Sequence, residues 1–354
     1  MPAAIGLDDV VAAETVLSHV DGEAGRLVVR GHDIETLVGH VPFEQATALL
    51  WDGLIDLPAE GLARALGAAR LEAYDRLAPL VPATRALAPV PAMRFLLAGL
   101  PTMEAPVAVR LLAAAGVAAA FAIAGKAVRP DPSLGHAADL LRMIRGRPVA
   151  AAEAAALDAY LVTILDHGLN ASTFAARVVA STAAGPAAAL IAGLCALEGP
   201  LHGGAPGPVL DMLDAVGLPE NAPAWVAAEL DAGRRLMGFG HRIYRVRDPR
   251  ADVLKAALAR LGGRSARLTL AEAVEAAALA ALERRKAGRR LDTNVEFYTA
   301  LLLDALGVPR AGFTALFAAG RTAGWLAHVR EQEARGRIIR PQSRYVGPLP
   351  AVAA

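Results

Sequence analysis

The run L-L-A-A-A-G-V-A-A-A-F-A-I-A-G, Leu111 to Gly125, constrains the fold more than any other part of the chain. It is apolar on every side, dominated by alanine, and bounded by Arg110 and Lys126. A bilayer span takes about 20 apolar residues, so a run this short is read as a core helix. A helix with no polar face must be surrounded by other elements. Helical periodicity over 105–126, 152–166, 171–184 and 186–197 supplies them, and several of these segments are apolar nearly all round. Pro42–Leu50 opens a further helix, with proline at its start and Glu44 in its first turn. Aromatic residues make up only 5%, which lets helices pack closely on Ala and Gly.

The sequence therefore predicts an all-α protein. One extended piece stands out, Arg26–Arg30 (R-L-V-V-R), and it is short. No βαβ alternation and no G-x-G-x-x-G after a strand is present, which argues against a dinucleotide fold. Gly and Pro cluster at Gly199–Pro208, and Gly again at Met237–Arg242. The segment after the first cluster is more polar and rich in arginine. It reads as a smaller helical domain, 204–306, inserted into a large helical domain made of 1–203 and 307–354. The tail from Arg337 is Pro-rich and non-helical.

A formal net charge of +1 gives no electrostatic footprint for nucleic acid or a membrane surface. Of 36 basic residues only Lys126, Lys255 and Lys286 are lysines, so an anion site here is built from arginine forks. The single cysteine, Cys195, excludes an intrachain disulfide and reads as a buried, inert thiol. The N-terminus lacks the pattern of a secretory signal, which makes the cytoplasm the expected location.

His167 (D-H-G-L-N), His202 (P-L-H-G-G) and His241 (G-F-G-H-R) sit beside glycine or a helix break, where backbone can approach a ligand. Each is either a site residue or a hydrogen-bonded structural histidine. None has zinc spacing, and no metal is expected. Asp248-Pro249 opens a helix that Gly262 ends, with Asp248 as N-cap. Arg250 then lies in a first turn, where the macrodipole favours acids, so either it meets an anion or it belongs to a solvated basic face. Arg321 lies in a small, apolar helix and needs an anionic partner if buried. Arg340, in R-I-I-R-P-Q-S, is a further candidate. Thr293-Asn-Val-Glu296 fits a capping box, which would account for Glu296 without any chemistry.

Five segments in order, G-P-L-H-G-G, M-G-F-G-H-R-I-Y-R-V-R-D-P-R-A, N-V-E-F-Y, F-A-A-G-R-T-A-G-W-L-A-H and R-I-I-R-P-Q-S-R-Y-V-G, resemble the citrate synthase family. The resemblance runs from about Gly6 to Val346 and is to the short, dimeric members, without an added N-terminal regulatory domain. It implies a homodimer whose large and small domains close over oxaloacetate and acetyl-CoA. No permanently bound cofactor is implied, since acetyl-CoA is a cosubstrate. It further implies that His202 bonds the thioester carbonyl, that His241 donates to the oxaloacetate carbonyl, and that Glu296 is the base. His167, Arg250, Arg321 and Arg340 would hold oxaloacetate, with Arg340 reaching into the other subunit's site. Gly238, Gly240, Arg245 and Asn294 would lie along CoA. The helix start would favour the ionised form of Glu296.

Three departures from the family pattern, over four positions, stand out. Glu296 replaces an aspartate, and its extra methylene moves the carboxylate by on the order of 1 Å. Gly168 replaces an acid beside His167, removing a possible partner for the imidazole. Pro206 and Gly207 replace an amide and an acid after H-G-G-A. Citrate formation leads, with 2-methylcitrate formation from propionyl-CoA and a non-catalytic CoA- or dicarboxylate-binding paralogue as alternatives.

Overall fold

The apolar run becomes the centre of the molecule. In a computed structural model describing Gly6 and residues 10–100, 106–202, 206–241, 243–262, 266–285 and 291–348, every residue from Leu111 to Phe121 is buried. The helix that carries them, Val107–Ala124, is the one helix among the described residues long and apolar enough to cross a membrane. Protein covers 72% of that window, so its lipid-like composition serves close helix packing.

A small sheet precedes the helices. Strands β1 (Ser18–Asp21), β2 (Arg26–Val29) and β3 (His32–Asp33) pair antiparallel in that order, with Ser18 opposite Val29 and Asp21 opposite Arg26. The expected extended piece is thus the middle strand of three, and it ends at Val29, since Arg30 turns at φ +49°.

Helices α1 (Ile34–Leu37), α2 (Phe43–Trp51), α3 (Leu62–Leu77) and α4 (Pro89–Ala98) lead to the central α5 (Val107–Ala124). There follow α6 (His136–Arg145), α7 (Ala151–Thr163), α8 (Ala171–Ala180), α9 (Pro186–Leu197) and α10 (Pro206–Val216). The last are α11 (Ala222–Asp231), α12 (Pro249–Arg260), α13 (Ala266–Arg285), α14 (Val295–Ala305) and α15 (Phe313–Arg335). α5 packs against α3, α4, α6 and α15, while α8, α9 and α15 pack on one another. α12 lies on α14 and α7. A second small core, Val226, Leu236, Ala278, Ala281 and Leu282, joins α11 to α13. The expected boundary between domains, at 203 and 204, lies outside the described residues.

Two expectations need correction. The helix read over 152–166 stops at Thr163, and the chain beyond it unwinds to present Asp166 and His167. Cys195 is exposed. α9 buries a stripe of Ala189, Leu190, Gly193, Leu194 and Leu197, and Cys195 falls off that stripe. Apolar neighbours in sequence do not bury a residue that the helical period turns outward.

Candidate active site

Three chain breaks meet above α7 and α15. The first follows α7. Ile164 O is left over at the helix end, where terminal carbonyls lack intrahelical partners. Arg321 Nε from α15 takes it at 2.5 Å. The approach is close because Gly324, one turn on, has no room for a Cβ against Leu165 O. Arg321 is 1% exposed, stacks its guanidinium 5.0 Å from the Phe317 ring centroid, and has no carboxylate within ion-pair distance among the described residues. Burial lowers its pKa to about 10, with Asp166, Tyr160 and Glu296 opposing and Arg250 adding to the fall.

His167 follows directly. Its Nε2 lies 3.2 Å from Tyr244 Oη, and its ring is edge-on to His241 with centroids 5.7 Å apart. Burial, then the cations Arg250 and Arg321 and the neighbouring His241, hold its pKa well below 6.5, so it is neutral. Gly168 sits at φ +59°, a left-handed conformation that glycine adopts without strain. The partner of the His167 imidazole is a phenol from the second loop, Tyr244. Beneath, Asp166 is fully buried between Ser18 and His328. Burial alone would raise its carboxyl, but His328, Arg321 and Ser18 Oγ keep it below the usual carboxylate range.

The second break carries His241. Its Nδ1 accepts the backbone N–H groups of Ile243 (3.0 Å) and Tyr244 (3.1 Å), which assigns the ring proton to Nε2. Burial and the nearby Arg250 lower its pKa to about 4, against an opposing pull from Asp248. Nε2 is 3.3 Å from Arg250 Nη2. Both atoms carry protons, so an acceptor between them would take both.

Arg250 is buried in the first turn of α12 and is not part of a solvated face. Asp248 is the N-cap foreseen: its carboxylate accepts Arg250 N–H at 3.1 Å, Nε at 3.0 Å and Nη2 at 2.8 Å. A charge-assisted fork of this kind holds the guanidinium rigidly. The same carboxylate accepts the Val295 N–H at 3.2 Å, tying α12 to the third break.

That third break opens α14. The capping box does not form. Asn294 is the N-cap, its Oδ1 accepting Glu296 N–H at 3.0 Å, and Thr293 Oγ1 donates instead to Glu275 at 2.6 Å. The cap sits one residue later than the pattern indicated, because Thr293 is pulled into the buried Glu275 cluster with Tyr298 and Lys255. The Glu296 carboxylate is thereby released from backbone duty. The expectation that the helix start keeps it readily ionised is also overturned. Burial raises its pKa to about 7; Arg250 and Arg321 limit the rise and Asp248 adds to it. Desolvation outweighs a dipole that is worth only about 1 kcal/mol at a helix end. Beside it the Tyr160 hydroxyl is buried with no hydrogen-bond partner among the described residues.

The remaining expected residues divide. His202 is anchored to the start of α8: its Nε2 lies 3.3 Å from Ser172 N and 2.8 Å from Ser172 Oγ. Gly238 and Gly240 join the His241 loop to the start of α14: Asn294 N–H donates to Gly238 O (2.9 Å), Asn294 Nδ2 to Gly240 O (2.8 Å) and Gly240 N–H to Asp292 O (2.8 Å). At φ +84° Gly238 lies 2.9 Å, measured from an ideal Cβ, from Phe297, so it is required by packing. Arg245 is exposed and 3.9 Å from Glu23. Arg340 is exposed on the tail and is not brought to this cleft. α10 begins at Pro206, consistent with proline in a first turn. Sequence reasoning missed Tyr244, Ser172 and Ser18. Tyr244 stands three residues after His241 and Ser172 five after His167, but nothing local marks them as partners of histidines.

A model of the family described as "Citrate synthase, C-terminal domain" matches residues 6–342. The chain belongs to the citrate synthase family. A Mycobacterium tuberculosis protein provisionally named citrate synthase 2 is 42% identical over 361 residues, covering 98% of this chain and 93% of that one. The crystal structure of citrate synthase from Thermotoga maritima superposes with a TM-score of 0.85 at 31% identity, covering 99% and 97% of the two chains. Citrate synthase from Thermoplasma acidophilum, solved as a ternary complex with carboxymethyl coenzyme A and oxaloacetate, gives a TM-score of 0.84 at 27% identity, covering 99% of this chain and 97% of that one. The all-α class and an enzyme of the citrate synthase type follow from these matches.

Proposed function

We propose that this citrate synthase-type enzyme condenses acetyl-CoA with oxaloacetate and hydrolyses the resulting thioester, giving citrate and CoA, at the cleft formed by His167, His202, His241, Arg250, Glu296 and Arg321. One observation carries it: two buried guanidinium groups and a neutral imidazole N–H converge beside a carboxylate whose pKa is near 7. Arg321 has no carboxylate within ion-pair distance among the described residues, and Arg250 keeps donors beyond its Asp248 fork. A small dianion supplies what they lack, since planar guanidinium forks match carboxylates.

The chemistry divides over the side chains. Glu296 takes a proton from the acetyl methyl, and a hydrogen bond from His202 stabilises the oxygen of the enol that forms. The enol carbon attacks the oxaloacetate ketone, whose oxygen gathers charge and is met by His241 Nε2–H and Arg250. A new C–C bond forms and the former ketone oxygen is protonated. Water then adds to the thioester, and the CoA thiolate leaves as the thiol. Lowered pKa values keep both His167 and His241 neutral, so His241 is a donor that cannot be lost by titration near neutral pH.

The segment 204–306 closes on the rest of the chain when both substrates are bound, excluding water from the cation-rich cleft. The loop with Gly238, Gly240, Arg245 and Asn294 forms the CoA side. The working species is a homodimer, in which exposed Arg340 completes the oxaloacetate site of the second copy. Free-thiol release from acetyl-CoA on adding oxaloacetate tests the reaction, with propionyl-CoA as a parallel arm. Oxaloacetate-dependent release with acetyl-CoA in excess of propionyl-CoA is expected. Release only with propionyl-CoA, or none, overturns it.

A further inference from the structure

We propose that the β1–β2 hairpin sets the spacing of His167 and His241, with Ser18 at its base and Gly22 at its tip as positioning residues.

At the base, Ser18 Oγ donates to Asp166 Oδ2 at 2.5 Å and accepts Gly168 N–H at 2.9 Å. It thus grips the residue on each side of His167. At the tip, Gly22 O accepts Arg245 N–H at 2.9 Å. A Cβ on Gly22 would overlap Ile243 O and lie 3.0 Å from Ile243 Cγ2, and one on Gly25 would lie 2.6 Å from Val246 Cγ2. The turn therefore rests backbone-to-backbone on 243–247. That segment fixes His241, because the Ile243 and Tyr244 N–H groups hold its Nδ1.

One paired ribbon, about 13 Å long from Ser18 to Gly22 at strand rise, therefore touches both histidine loops. The loops come from distant parts of the sequence and meet where Tyr244 Oη reaches His167 Nε2. A hairpin held in register by Ser18–Val29 and Asp21–Arg26 pairing is stiffer than either loop, so it transmits the position of one to the other. Neither Ser18 nor Gly22 touches the proposed substrate. They act through Asp166, Gly168 and Ile243.

The kinetic half of the test rests on the citrate-forming reaction proposed above, while the exchange half does not. Ser18→Ala, Ser18→Thr and Gly22→Ala are compared with wild type. Hydrogen exchange without substrate reads the amides of Gly168 and 243–247, and steady-state kinetics reads KM and kcat. Ser18→Ala and Gly22→Ala are expected to speed exchange in both loops. Each should raise the oxaloacetate KM about tenfold, in line with the sensitivity of catalysis to small displacements. The acetyl-CoA KM of Ser18→Ala should stay near wild type, and Ser18→Thr, which keeps the hydroxyl, should restore the oxaloacetate KM. Unchanged exchange in both alanine variants overturns the proposal, as does faster exchange with an unchanged oxaloacetate KM. If wild type itself releases no thiol, the citrate-forming reaction fails and exchange alone decides: faster in both loops supports the hairpin's role, unchanged overturns it.

Discussion

Asn294 caps the helix that Val295 begins: its Oδ1 accepts the Glu296 N–H at 3.0 Å, leaving the Glu296 carboxylate free to face Arg250 and Arg321. Had Thr293 been the cap, Glu296 would have been occupied by the backbone, and its replacement by glutamine would matter little. Since Asn294 does the capping, Glu296→Gln should abolish thiol release while oxaloacetate still raises the melting temperature. Wild-type turnover in that variant would remove Glu296 from the chemistry.

The same carboxyl predicts a pH profile. Burial lifts its pKa to about 7, and a base must be ionised to act. kcat/KM for acetyl-CoA should therefore climb tenfold per pH unit below about 7 and level off above it. His241, held to about 4, stays neutral across this range and contributes no limb. A profile flat from pH 5.5 to 8 would contradict the assignment.

Arg321 is a buried cation with no carboxylate within ion-pair distance among the described residues, so in the empty protein its charge is poorly compensated. Arg321→Met keeps the packing volume and removes the charge. Its melting temperature without substrate should equal or exceed that of wild type, and oxaloacetate should no longer raise it. A large loss of stability in the empty variant would mean that Arg321 is structural.

Far from the cleft, Arg70 Nε donates to Asp139 at 2.8 Å with both side chains fully buried. Removing one member leaves the other charge unpaired, so Asp139→Ala should lose about 3–5 kcal/mol of unfolding free energy. The folded fraction should keep the wild-type KM for oxaloacetate. Urea unfolding and kinetics on the same preparation check both statements.

Acid should weaken the fold early. His136, His167 and His241 all have folded pKa values below 6.5, at about 3 for His136, where burial and then Arg70 lower it, and about 4 for His241. The unfolded chain binds protons that the folded chain does not, so stability is lost as pH falls from about 6.5 toward 4. His136→Gln should show a shallower loss over that interval in denaturant midpoints. Parallel slopes for the two proteins would rule out the His136 contribution.

Local preferences and motif order were legible in the residues alone. Alanine-rich apolar periodicity specified α5 and α9, Asp248-Pro249 specified the start of α12, and the five ordered motifs carried the family. These depend on residues close in the chain, where period and cap chemistry act directly. Tertiary structure decided which of two local options won. Thr293 lost the cap to Asn294 because Glu275, on another helix, captured its hydroxyl. Cys195 turned outward because α9 packs on its leucine stripe. The Glu296 pKa rose because desolvation by surrounding elements exceeded the pull of its own helix end. Tyr244 and Ser18 became partners of the His167 loop across 77 and 150 residues. Burial and through-space charge depend on what packs above a residue, and that neighbour is set by the whole fold.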